Sequence, residues 1–447
     1  MGSRYACFKA YDVRGRVPEE LDPELAYRIG RAYADETGAK TVVVGHDIRL
    51  SGPELGAALT KGLNDAGVDV TDIGMVGTET VYFATAHYGF DGGVMITASH
   101  NPPQDNGMKM VQKESRPISS DTGLLAIEER AFAAKWERTG QGKSEQRDVY
   151  DDFVQHLLRY CDTTTIKPLK VLAKAGNGAA GIAMRKLAKH LPIQVDEMQF
   201  EPDGEFPNGV PNPILPENRK DIEDRLKTGG YDLGVAWDGD YDRCFLLGGS
   251  GGFIEGYYIV GVLAEAILKN NPGDTVIYDP RLTWNTLEIV KRAGGRAVMC
   301  KSGHAFIKEK MRAEDAVYGG EMSAHHYFRS NWYCDSGMAP LLLILQLVSE
   351  SGKPLDQMVG DMVRRYPCSG EINSRVADVH EVLERVEREF KDGEIDKTDG
   401  LSLEFRNWRF NLRGSNTEPV IRLNVEARED AELVANMTER LLRLVRS

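Results

Sequence analysis

Apolar residues along the first hundred positions form short runs separated by amphipathic segments. The runs at residues 41–44, 68–73 and 94–96 predict buried strands. The segment 23–37 predicts a helix, and further helices are expected between the strands. Strands that alternate with helices indicate βαβ units and a mostly parallel sheet.

The alternation continues through two further regions and then changes. Strands are predicted at residues 169–175, 231–237, 275–278 and 297–300, whereas the region after residue 367 has strands between two helices, which is typical of an α+β lobe. We therefore expect an α/β protein with three similar α/β domains, whose sheets are mixed and mostly parallel, plus a C-terminal α+β domain, arranged around a central active-site cleft. The predicted domains are 1–147, 148–250, 251–367 and 368–447, with the polar segment 139–148 as a linker.

Composition limits the classes of function. A chain of 447 residues exceeds what one hydrophobic core usually supports, and 41% hydrophobic with 28% charged residues is typical of a soluble globular protein. The longest apolar run, near residues 338–348, is too short to span a membrane. The net charge of −13 argues against nucleic acid as a partner. Six scattered cysteines without a C-x-x-C pair predict reduced thiols and a cytoplasmic location.

Hydroxyl groups follow the predicted strand 94–96. Thr97 and Ser99 lie just past its end, where open α/β sheets keep their chemistry, and a turn at residues 106–107 can return Lys109 beside the serine. A fixed hydroxyl beside an amine indicates phosphate chemistry, although a loop that merely caps the next element remains open. A serine hydrolase fits less well, because Ser99 and His100 would diverge on an extended backbone and no G-x-S-x-G surrounds the serine.

Three carboxylates follow the predicted strand 231–237. Asp238, Asp240 and Asp242 alternate with other residues in a tight loop and can converge on a hard cation such as Mg²⁺. A calcium-binding EF-hand loop is excluded, because its sixth and twelfth positions hold Arg243 and Gly249. A solvated acidic turn remains open.

Other polar groups also follow predicted strands or turns. Near the N-terminus, Tyr11 and Arg14 lie in a turn where a guanidinium could meet phosphate, although an Asp-x-Arg pair is often a local salt bridge. Polar residues gather after three strands of the third domain, and near the C-terminus an arginine, two hydroxyls and an amide form a potential phosphate cradle that an ordinary capped turn could resemble. The residues of these later groups are Arg281, His304, Glu321, Ser323, His325, Arg413, Ser415, Asn416, Thr417 and Arg422.

The segment GNGAAG at residues 176–181 follows a predicted strand and precedes a helix. With Asp196 about 20 residues further on, it matches the dinucleotide-binding fingerprint. A tight turn into a closely packed helix explains it equally well. On the residues alone, an NAD-dependent oxidoreductase stays open.

Five segments resemble, in order, the motifs of the α-D-phosphohexomutase family. They are YDVRG, TASHNP, DGDYDR, GEMSAHH and RGSNTEP, and they extend through all four predicted domains. The segment GEMSAHH looks most like that of bacterial phosphomannomutases, and the family also has a Gly-Asn-Gly turn that does not serve a nucleotide. The chain departs from the family at His46, which we expect to be structural, and at Arg281, where many relatives have lysine.

The resemblance implies a reversible conversion of mannose 6-phosphate to mannose 1-phosphate, with hexose phosphates as the small-molecule partners. Ser99 would carry a phosphoryl group, and Mg²⁺ would be held by Ser99, Asp238, Asp240 and Asp242. A hexose 1,6-bisphosphate would be the intermediate and the activator. Glucose phosphates, alone or together with mannose phosphates, are the nearest alternative substrates. The enzyme is expected to be a monomer or a homodimer.

The resemblance also gives expected roles to the remaining residues. Transfer of the phosphoryl group would involve Ser99, Arg14, Lys109, Arg243 and His304, with the choice of proton acceptor left open between Lys109 and His304. The substrate would be bound by Tyr11, Arg281, Glu321, Ser323, His325, Arg413, Ser415, Asn416, Thr417 and Arg422.

Overall fold

A computed structural model describes residues 5–414 and 420–447. The chain divides into two compact units, which are Met1–Phe253 with Ser330–Gly352, and Ile254–Arg329 with Lys353–Ser447. Among the described residues, no helix has the length and apolarity needed to cross a bilayer. The six cysteines are all free thiols.

The first sheet lies in the N-terminal part of the first unit. Its elements are β1 (Val13–Arg16), α1 (Pro23–Thr37), β2 (Thr41–His46), α2 (Gly52–Asp65), β3 (Asp69–Met75), α3 (Thr78–His87), β4 (Gly92–Ile96), β5 (Asp105–Gln112), β6 (Arg116–Pro117), α4 (Leu124–Ala133) and β7 (Ser144–Gln146). The strand order is β1-β5-β4-β2-β3-β7, and β6 pairs with β5. Strands β4, β2, β3 and β7 run parallel, whereas β5 is antiparallel to β1 and β4. The sheet is therefore mixed, as expected.

Helix α1 shows why these elements form where the sequence predicts them. The Asp22 carboxylate accepts a hydrogen bond from the backbone N–H of Leu25, Pro23 occupies the first turn, and Gly38 ends the helix with φ 66°. Its buried face packs on α2 and joins the core beneath β2 and β4. Helix α4 ends at Ala133, because the next residue, Ala134, has a left-handed φ of 50°.

The segment 139–148 is not the linker that its polarity suggested. Residues Ser144–Gln146 form β7, the parallel edge strand beside β3. The strand is fully exposed, so it lacks the apolar alternation that marks a strand in sequence. Backbone hydrogen bonds hold it instead, including Val70 N–H to Lys143 O at 2.7 Å and Arg147 N–H to Asp72 O at 2.9 Å.

The second sheet also lies in the first unit. Its elements are α5 (Tyr150–Leu158), β8 (Lys170–Lys174), α6 (Ala180–Ala188), β9 (Gln194–Met198), α7 (Lys220–Lys227), β10 (Leu233–Trp237), β11 (Cys244–Gly248) and β12 (Phe253–Ile254). The strand order is β12-β11-β10-β8-β9, with β8, β9 and β10 parallel. Strands β10 and β11 are antiparallel and fully buried, so the loop between them lies against the core.

The glycine-rich turn at residues 176–181 is filled by the chain itself. A Cβ on Gly178 would lie 2.9 Å from the carbonyl oxygen of Gly239, and a Cβ on Gly176 would lie 2.4 Å from Cβ of Pro211. The Asn177 side chain donates to the carbonyl of Glu201 at 2.8 Å. A dinucleotide site needs this turn open to a pyrophosphate, so the geometry favours the tight-turn interpretation.

The remaining elements belong mostly to the second unit. In chain order they are α8 (Gly256–Asn270), β13 (Thr275–Tyr278), α9 (Trp284–Arg292), β14 (Arg296–Met299), α10 (His304–Glu314), β15 (Tyr318–Gly320), β16 (His326–Phe328), β17 (Cys334–Asp335), α11 (Ala339–Ser351), α12 (Leu355–Arg365), β18 (Ile372–Arg375), α13 (Val379–Glu389), β19 (Glu394–Asp396), β20 (Leu401–Glu404), β21 (Trp408–Gly414), β22 (Val420–Ala427) and α14 (Ala431–Arg446). Elements β17 and α11 lie in the first unit. In addition, single 3₁₀ turns span Lys113–Ser115, Pro216–Asn218 and Arg329–Asn331.

The second unit contains a mixed sheet and an antiparallel one. In the former, β14, β13 and β15 are parallel neighbours and β16 is antiparallel to β15. The C-terminal sheet has the order β18-β22-β21-β20-β19 and is antiparallel throughout. Helices α13 and α14 contribute to the core of that sheet. The sequence therefore predicted the fold class correctly, although it marked fewer C-terminal strands than the structure has.

Candidate active site

Ser99 lies in a turn just past the carboxyl end of β4. Its backbone has φ 49°, a left-handed conformation that is uncommon outside glycine. Its N–H donates to Thr97 Oγ1 at 2.9 Å, and its hydroxyl donates to Asp238 Oδ2 at 2.7 Å. The serine loop and the aspartate loop therefore meet at this hydroxyl, which is buried.

His100 lies closer to Ser99 than the sequence analysis expected. Because the backbone at Ser99 is left-handed rather than extended, the two side chains converge, and Ser99 Oγ lies 3.1 Å from His100 Nδ1. The expected divergence was therefore wrong. A hydrolase triad still does not form, because Arg243 Nη2 is also within hydrogen-bond distance of His100 Nδ1 and competes for the nitrogen that a general base would use.

The three aspartates form a compact acidic cluster after β10. One carboxylate oxygen each from Asp238, Asp240 and Asp242 lies within 4.8 Å of those of the other two, and all three residues are fully buried. Among the described residues, Asp240 Oδ1 has no hydrogen-bond partner. Buried carboxylates with an unused oxygen are costly without a cation, and an all-oxygen set suits Mg²⁺. The residues present therefore fit a divalent metal ion.

Two cationic side chains partly balance this cluster. Lys109 lies on β5 across from Met95 of β4, and its Nζ contacts Asp240 Oδ2 at 2.7 Å and Asp242 Oδ2 at 2.5 Å. Arg243 contacts Asp238 Oδ2 through Nη2 at 2.7 Å, and the same nitrogen lies 3.5 Å from Ser99 Oγ. Lys109 does return alongside the serine strand, opposite Met95 of β4. The predicted turn at residues 106–107 was wrong, because Asn106 and Gly107 already lie in β5, where they pair with β1.

The pKa values of Asp238 and Lys109 reflect the charges that surround them. Burial, together with Asp242 and Asp240, raises the pKa of Asp238 to about 6 in spite of Arg243. Burial lowers the pKa of Lys109, but the carboxylates of Asp240 and Asp242 outweigh burial and hold it above its usual range. Lys109 therefore places a positive charge beside the acidic cluster.

Arg14 also contacts the serine loop. Its guanidinium donates to Asn101 Oδ1 at 2.9 Å and to Asp12 Oδ2 at 2.6 Å. The pairing of β1 with β5 places it there, whereas Tyr11, which precedes β1, is half-buried. The local salt bridge that the Asp-x-Arg pattern suggested is thus present, and it orients an arginine whose other contact is the serine loop.

Several residues that support these loops were not predicted from the sequence. Asp47 and Arg49, after β2, contact the serine loop, and Thr78, the first residue of α3, donates to Asp240 Oδ2 at 2.5 Å. A Cβ on Gly239 would lie 2.5 Å from the carbonyl oxygen of Ser99, so the two loops pack backbone to backbone. The segment GHDIR, which departs from the family pattern, was the available signal for Asp47 and Arg49.

The second unit holds a cluster of the predicted sugar ligands in the turn between β15 and β16. Glu321 accepts from Tyr327 Oη at 2.6 Å and from Gly303 N–H at 3.0 Å. Ser323 Oγ lies 3.1 Å from His325 Nδ1. This turn is anchored by its own backbone, since Glu321 N–H donates to the carbonyl of His325 at 3.0 Å.

Arg281 is the centre of this second cluster. Its guanidinium is fully buried and pairs with both oxygens of Asp279, while Glu371 lies 3.3 Å away and Ser323 Oγ 3.2 Å away. His304 is the first residue of α10 and is buried, next to Gly303, which contacts Glu321.

The predicted phosphate cradle is described in part. Arg413 and Arg422 face each other across β21 and β22, and they pair with Asp399 at 3.7 Å and with Glu371 at 3.4 Å, respectively. Two arginines directly opposite each other repel, so the site favours an anion. The other predicted members, Ser415, Asn416 and Thr417, lie outside the described residues.

Four family profiles match the chain in order. They are described as phosphoglucomutase/phosphomannomutase alpha/beta/alpha domain I (residues 6–138), domain II (150–251), domain III (255–366) and C-terminal domain (371–444).

Full-length relatives show the same likeness. A protein named phosphohexose mutases from Xanthomonas campestris pv. campestris is 55% identical over 443 residues, which cover 98% of this chain and 99% of the relative. A phosphomannomutase from Escherichia coli K12 is 52% identical over 452 residues, 99% of each chain. The crystal structure of a phosphoglucomutase/phosphomannomutase family protein from Burkholderia thailandensis has a TM-score of 0.89 at 35% identity, and the match covers 100% of this chain and 98% of that one. The chain therefore belongs to the α-D-phosphohexomutase family and is a phosphohexomutase, an intramolecular phosphotransferase.

Proposed function

We propose that this enzyme interconverts mannose 6-phosphate and mannose 1-phosphate through a phosphorylated Ser99. The observation that carries the proposal is the Ser99 hydroxyl, which donates to Asp238 within a buried cluster of three aspartates. Phosphoryl transfer depends mostly on positioning and charge stabilisation, and this hydroxyl has both a fixed backbone and charged neighbours.

The metal ligands would be Asp238, Asp240, Asp242 and an oxygen of phosphorylated Ser99. Bound Mg²⁺ would offset the repulsion between a phosphoryl group and the carboxylates. Two structures of N-acetylphosphoglucosamine mutase from Aspergillus fumigatus, 13% and 12% identical to this chain, were determined in complex with GlcNAc-6P and magnesium, and with glucose 1,6-bisphosphate. That identity shows a shared fold alone, so the present proposal rests on the aspartate cluster of this chain.

The cationic residues near Ser99 would stabilise the transferring charge. Arg243 lies within 3.5 Å of Ser99 Oγ, Lys109 is held charged by its carboxylate neighbours, and Arg14 is oriented by Asp12 toward the serine loop. The proton acceptor would be Lys109 or His304.

Substrate recognition would divide between sugar and phosphate. The sugar hydroxyls would contact Glu321, Ser323 and His325, and the same contacts would serve when the hexose 1,6-bisphosphate has turned over and returns its other phosphate to Ser99. The remaining proposed substrate ligands are Tyr11, Arg281, Arg422 and the four residues that would bind the non-reacting phosphate, Arg413, Ser415, Asn416 and Thr417.

The proposal extends to the domain boundaries, cellular location, oligomeric state and product use of the enzyme. The domains would be 1–147, 148–250, 251–367 and 368–447, and the enzyme would be a cytoplasmic monomer or homodimer with hexose 1,6-bisphosphate as activator. Its mannose 1-phosphate would feed GDP-mannose synthesis. Glucose phosphates are the second candidate substrates, since the Burkholderia relative is described as phosphoglucomutase/phosphomannomutase.

The test is coupled turnover of mannose 1-phosphate and glucose 1-phosphate, with Mg²⁺ and catalytic hexose 1,6-bisphosphate. We expect the wild type to favour mannose 1-phosphate, and we expect chelation of the metal or the Ser99→Ala substitution to abolish turnover. A wild-type preference for glucose 1-phosphate would reassign the substrate. Full activity of Ser99→Ala would refute the phosphoserine mechanism.

A further inference from the structure

The guanidinium of Arg49 is surrounded by backbone carbonyl groups of the serine loop. Arg49 follows β2 and is almost completely buried. Its Nη1 and Nη2 donate to four carbonyl oxygens, those of Ser99 at 2.9 Å, Asn101 at 2.7 Å, Pro102 at 2.6 Å and Asp105 at 2.7 Å. One side chain thus binds the loop from Ser99 to the start of β5.

A second set of contacts reaches the other side of Ser99. Asp47 accepts from the N–H of Arg49 at 2.9 Å and from the Thr97 hydroxyl at 2.7 Å. The Thr97 oxygen in turn accepts from the N–H of Ser99 at 2.9 Å. Both backbone groups of Ser99 are therefore bound, its carbonyl by Arg49 and its N–H through Thr97.

These contacts hold a strained conformation. Ser99 has φ 49°, in the left-handed region of backbone conformation. A non-glycine residue keeps this unfavourable conformation only where several surrounding contacts enforce it. On an extended backbone, Ser99 and His100 would point to opposite sides. The left-handed turn is therefore what directs the hydroxyl to Asp238.

We propose that Arg49 is a positioning residue that sets the geometry of phosphoryl transfer at Ser99. Asp47 and Thr97 support it by holding the backbone N–H of Ser99. The inference rests on the proposed role of Ser99. A lysine cannot replace the arginine, because four carbonyls are bound by the planar fork of a guanidinium, whereas an ammonium is a compact point charge. Both Nη groups of Arg49 donate to loop carbonyls, so the residue acts through the loop.

The experiment compares Arg49→Lys with Arg31→Lys. Arg31 is a buried arginine of the same unit that donates to the carbonyl of Arg138 at 2.7 Å, and it has no contact with the serine loop. We expect Arg49→Lys to lower kcat about 100-fold with little change in KM, because displacing a reacting group by about 1 Å has an effect of that size. The ³¹P resonance of phosphorylated Ser99 should shift. Arg31→Lys should change neither kcat nor that resonance.

A milder pair of variants keeps the test decisive if Arg49→Lys does not fold. Thr97→Val removes the hydroxyl without changing the shape of the side chain, and we expect it to lower kcat and shift the same resonance, whereas Thr97→Ser should behave like the wild type. Wild-type kcat in both Arg49→Lys and Thr97→Val would overturn the inference, as would equal losses in Thr97→Val and Thr97→Ser. An active Ser99→Ala would instead refute the proposed function.

Discussion

The two units of the chain both bury carboxylates, but they balance the charges differently. In the first unit, burial and the neighbouring aspartates raise the pKa of Asp238 to about 6, and Arg243 does not outweigh them. In the second unit, burial also opposes ionisation of Asp279 and Glu371, yet arginines, above all Arg281 for Asp279, hold both pKa values below their usual range.

This difference indicates what each region is built to bind. Lys109 and Arg243 pair with the buried carboxylates of Asp238, Asp240 and Asp242, and a divalent cation bound among these three oxygen ligands would neutralise the cluster further. The carboxylates of the second unit are paired by arginines of the chain. They form a fixed polar surface, which suits sugar hydroxyls and phosphate better than a metal ion.

The comparison is tested most strongly by Asp242→Asn. We expect turnover to fall at least about 1000-fold, since a catalytic metal ion stabilises several kcal/mol of transition-state charge. Mg²⁺ should raise the Tm of the wild type and leave that of the variant unchanged, because binding to the folded state alone stabilises it. The measurements are coupled turnover and thermal unfolding over a range of Mg²⁺ concentrations.

Asp224→Asn is the matched control, since Asp224 is an exposed partner of Lys220 on α7. It should retain both turnover and the Mg²⁺-dependent rise in Tm. If Asp242→Asn also retained the rise in Tm, the metal would bind elsewhere.

In the second unit, we expect removal of a carboxylate to lower stability without changing the response to Mg²⁺. Glu371→Gln removes a buried carboxylate that pairs with both Arg281 and Arg422, and loss of this charge between two guanidinium groups should lower the free energy of unfolding by about 3 kcal/mol. The stabilisation by Mg²⁺ should be unaffected. Urea unfolding measures the change, with Glu439→Gln as a control that should cost less than about 1 kcal/mol because its ion pair with Arg443 is exposed. If Glu371→Gln were as stable as the wild type, the ion pairs of Glu371 with the two arginines would not stabilise the second unit.

Much of this arrangement could be predicted from the sequence because it depends on local pattern. A buried strand and the polar residues just past its end are adjacent in the chain, so the β4–Ser99 and β10–Asp238 junctions could both be found. In an α/β sheet, functional residues gather at the carboxyl ends of the strands, which is where both junctions lie.

The rest depends on contacts between distant residues. Arg49 binds a loop that begins 50 positions later, and Thr78 donates to Asp240, 162 positions later, so neither contact leaves a local pattern. The left-handed turn at Ser99 is likewise imposed by tertiary hydrogen bonds. Strand β7 was missed because it is exposed on both faces and is held by its backbone.

Both units also contain a buried histidine that stays neutral. Burial lowers the pKa of His156 in the first unit to about 4 and that of His326 in the second to about 3. His156 contacts Asn331 Oδ1 at 3.0 Å and stacks on Trp332. Within the part of the chain that the structure describes, neither histidine forms an ion pair, and each avoids the cost of burying a charge by remaining neutral.

The pH dependence of stability should reveal His156. Since the unfolded side chain binds a proton below about pH 6.5 and the folded one only below about pH 4, stability should be complete above pH 6.5 and fall as the pH is lowered to 4. The loss should be about 3 kcal/mol relative to His156→Gln, which keeps a donor for Asn331 but does not titrate. Urea unfolding from pH 7 to 4 measures this loss of stability. If the stability of the two proteins changed with pH in the same way, the lowered pKa of His156 would be contradicted.

The smallest expected effect concerns Thr78. Its hydroxyl donates to Asp240, so Thr78→Val should weaken Mg²⁺ binding by about 10–100-fold, as is typical for residues that orient metal ligands. Thr78→Ser keeps the hydroxyl and should bind as the wild type does. Calorimetric titration with Mg²⁺ separates the two, and equal affinities would show that this hydrogen bond does not tune the cluster.

Mass mapping of the enzyme after incubation with glucose 1,6-bisphosphate tests directly whether Ser99 carries the phosphoryl group. We expect one phosphoryl group on Ser99, and we expect its transfer to mannose 6-phosphate when Mg²⁺ and the substrate are added. A phosphoryl group on another residue, or steady turnover by enzyme that never carries one, would contradict the phosphoserine mechanism.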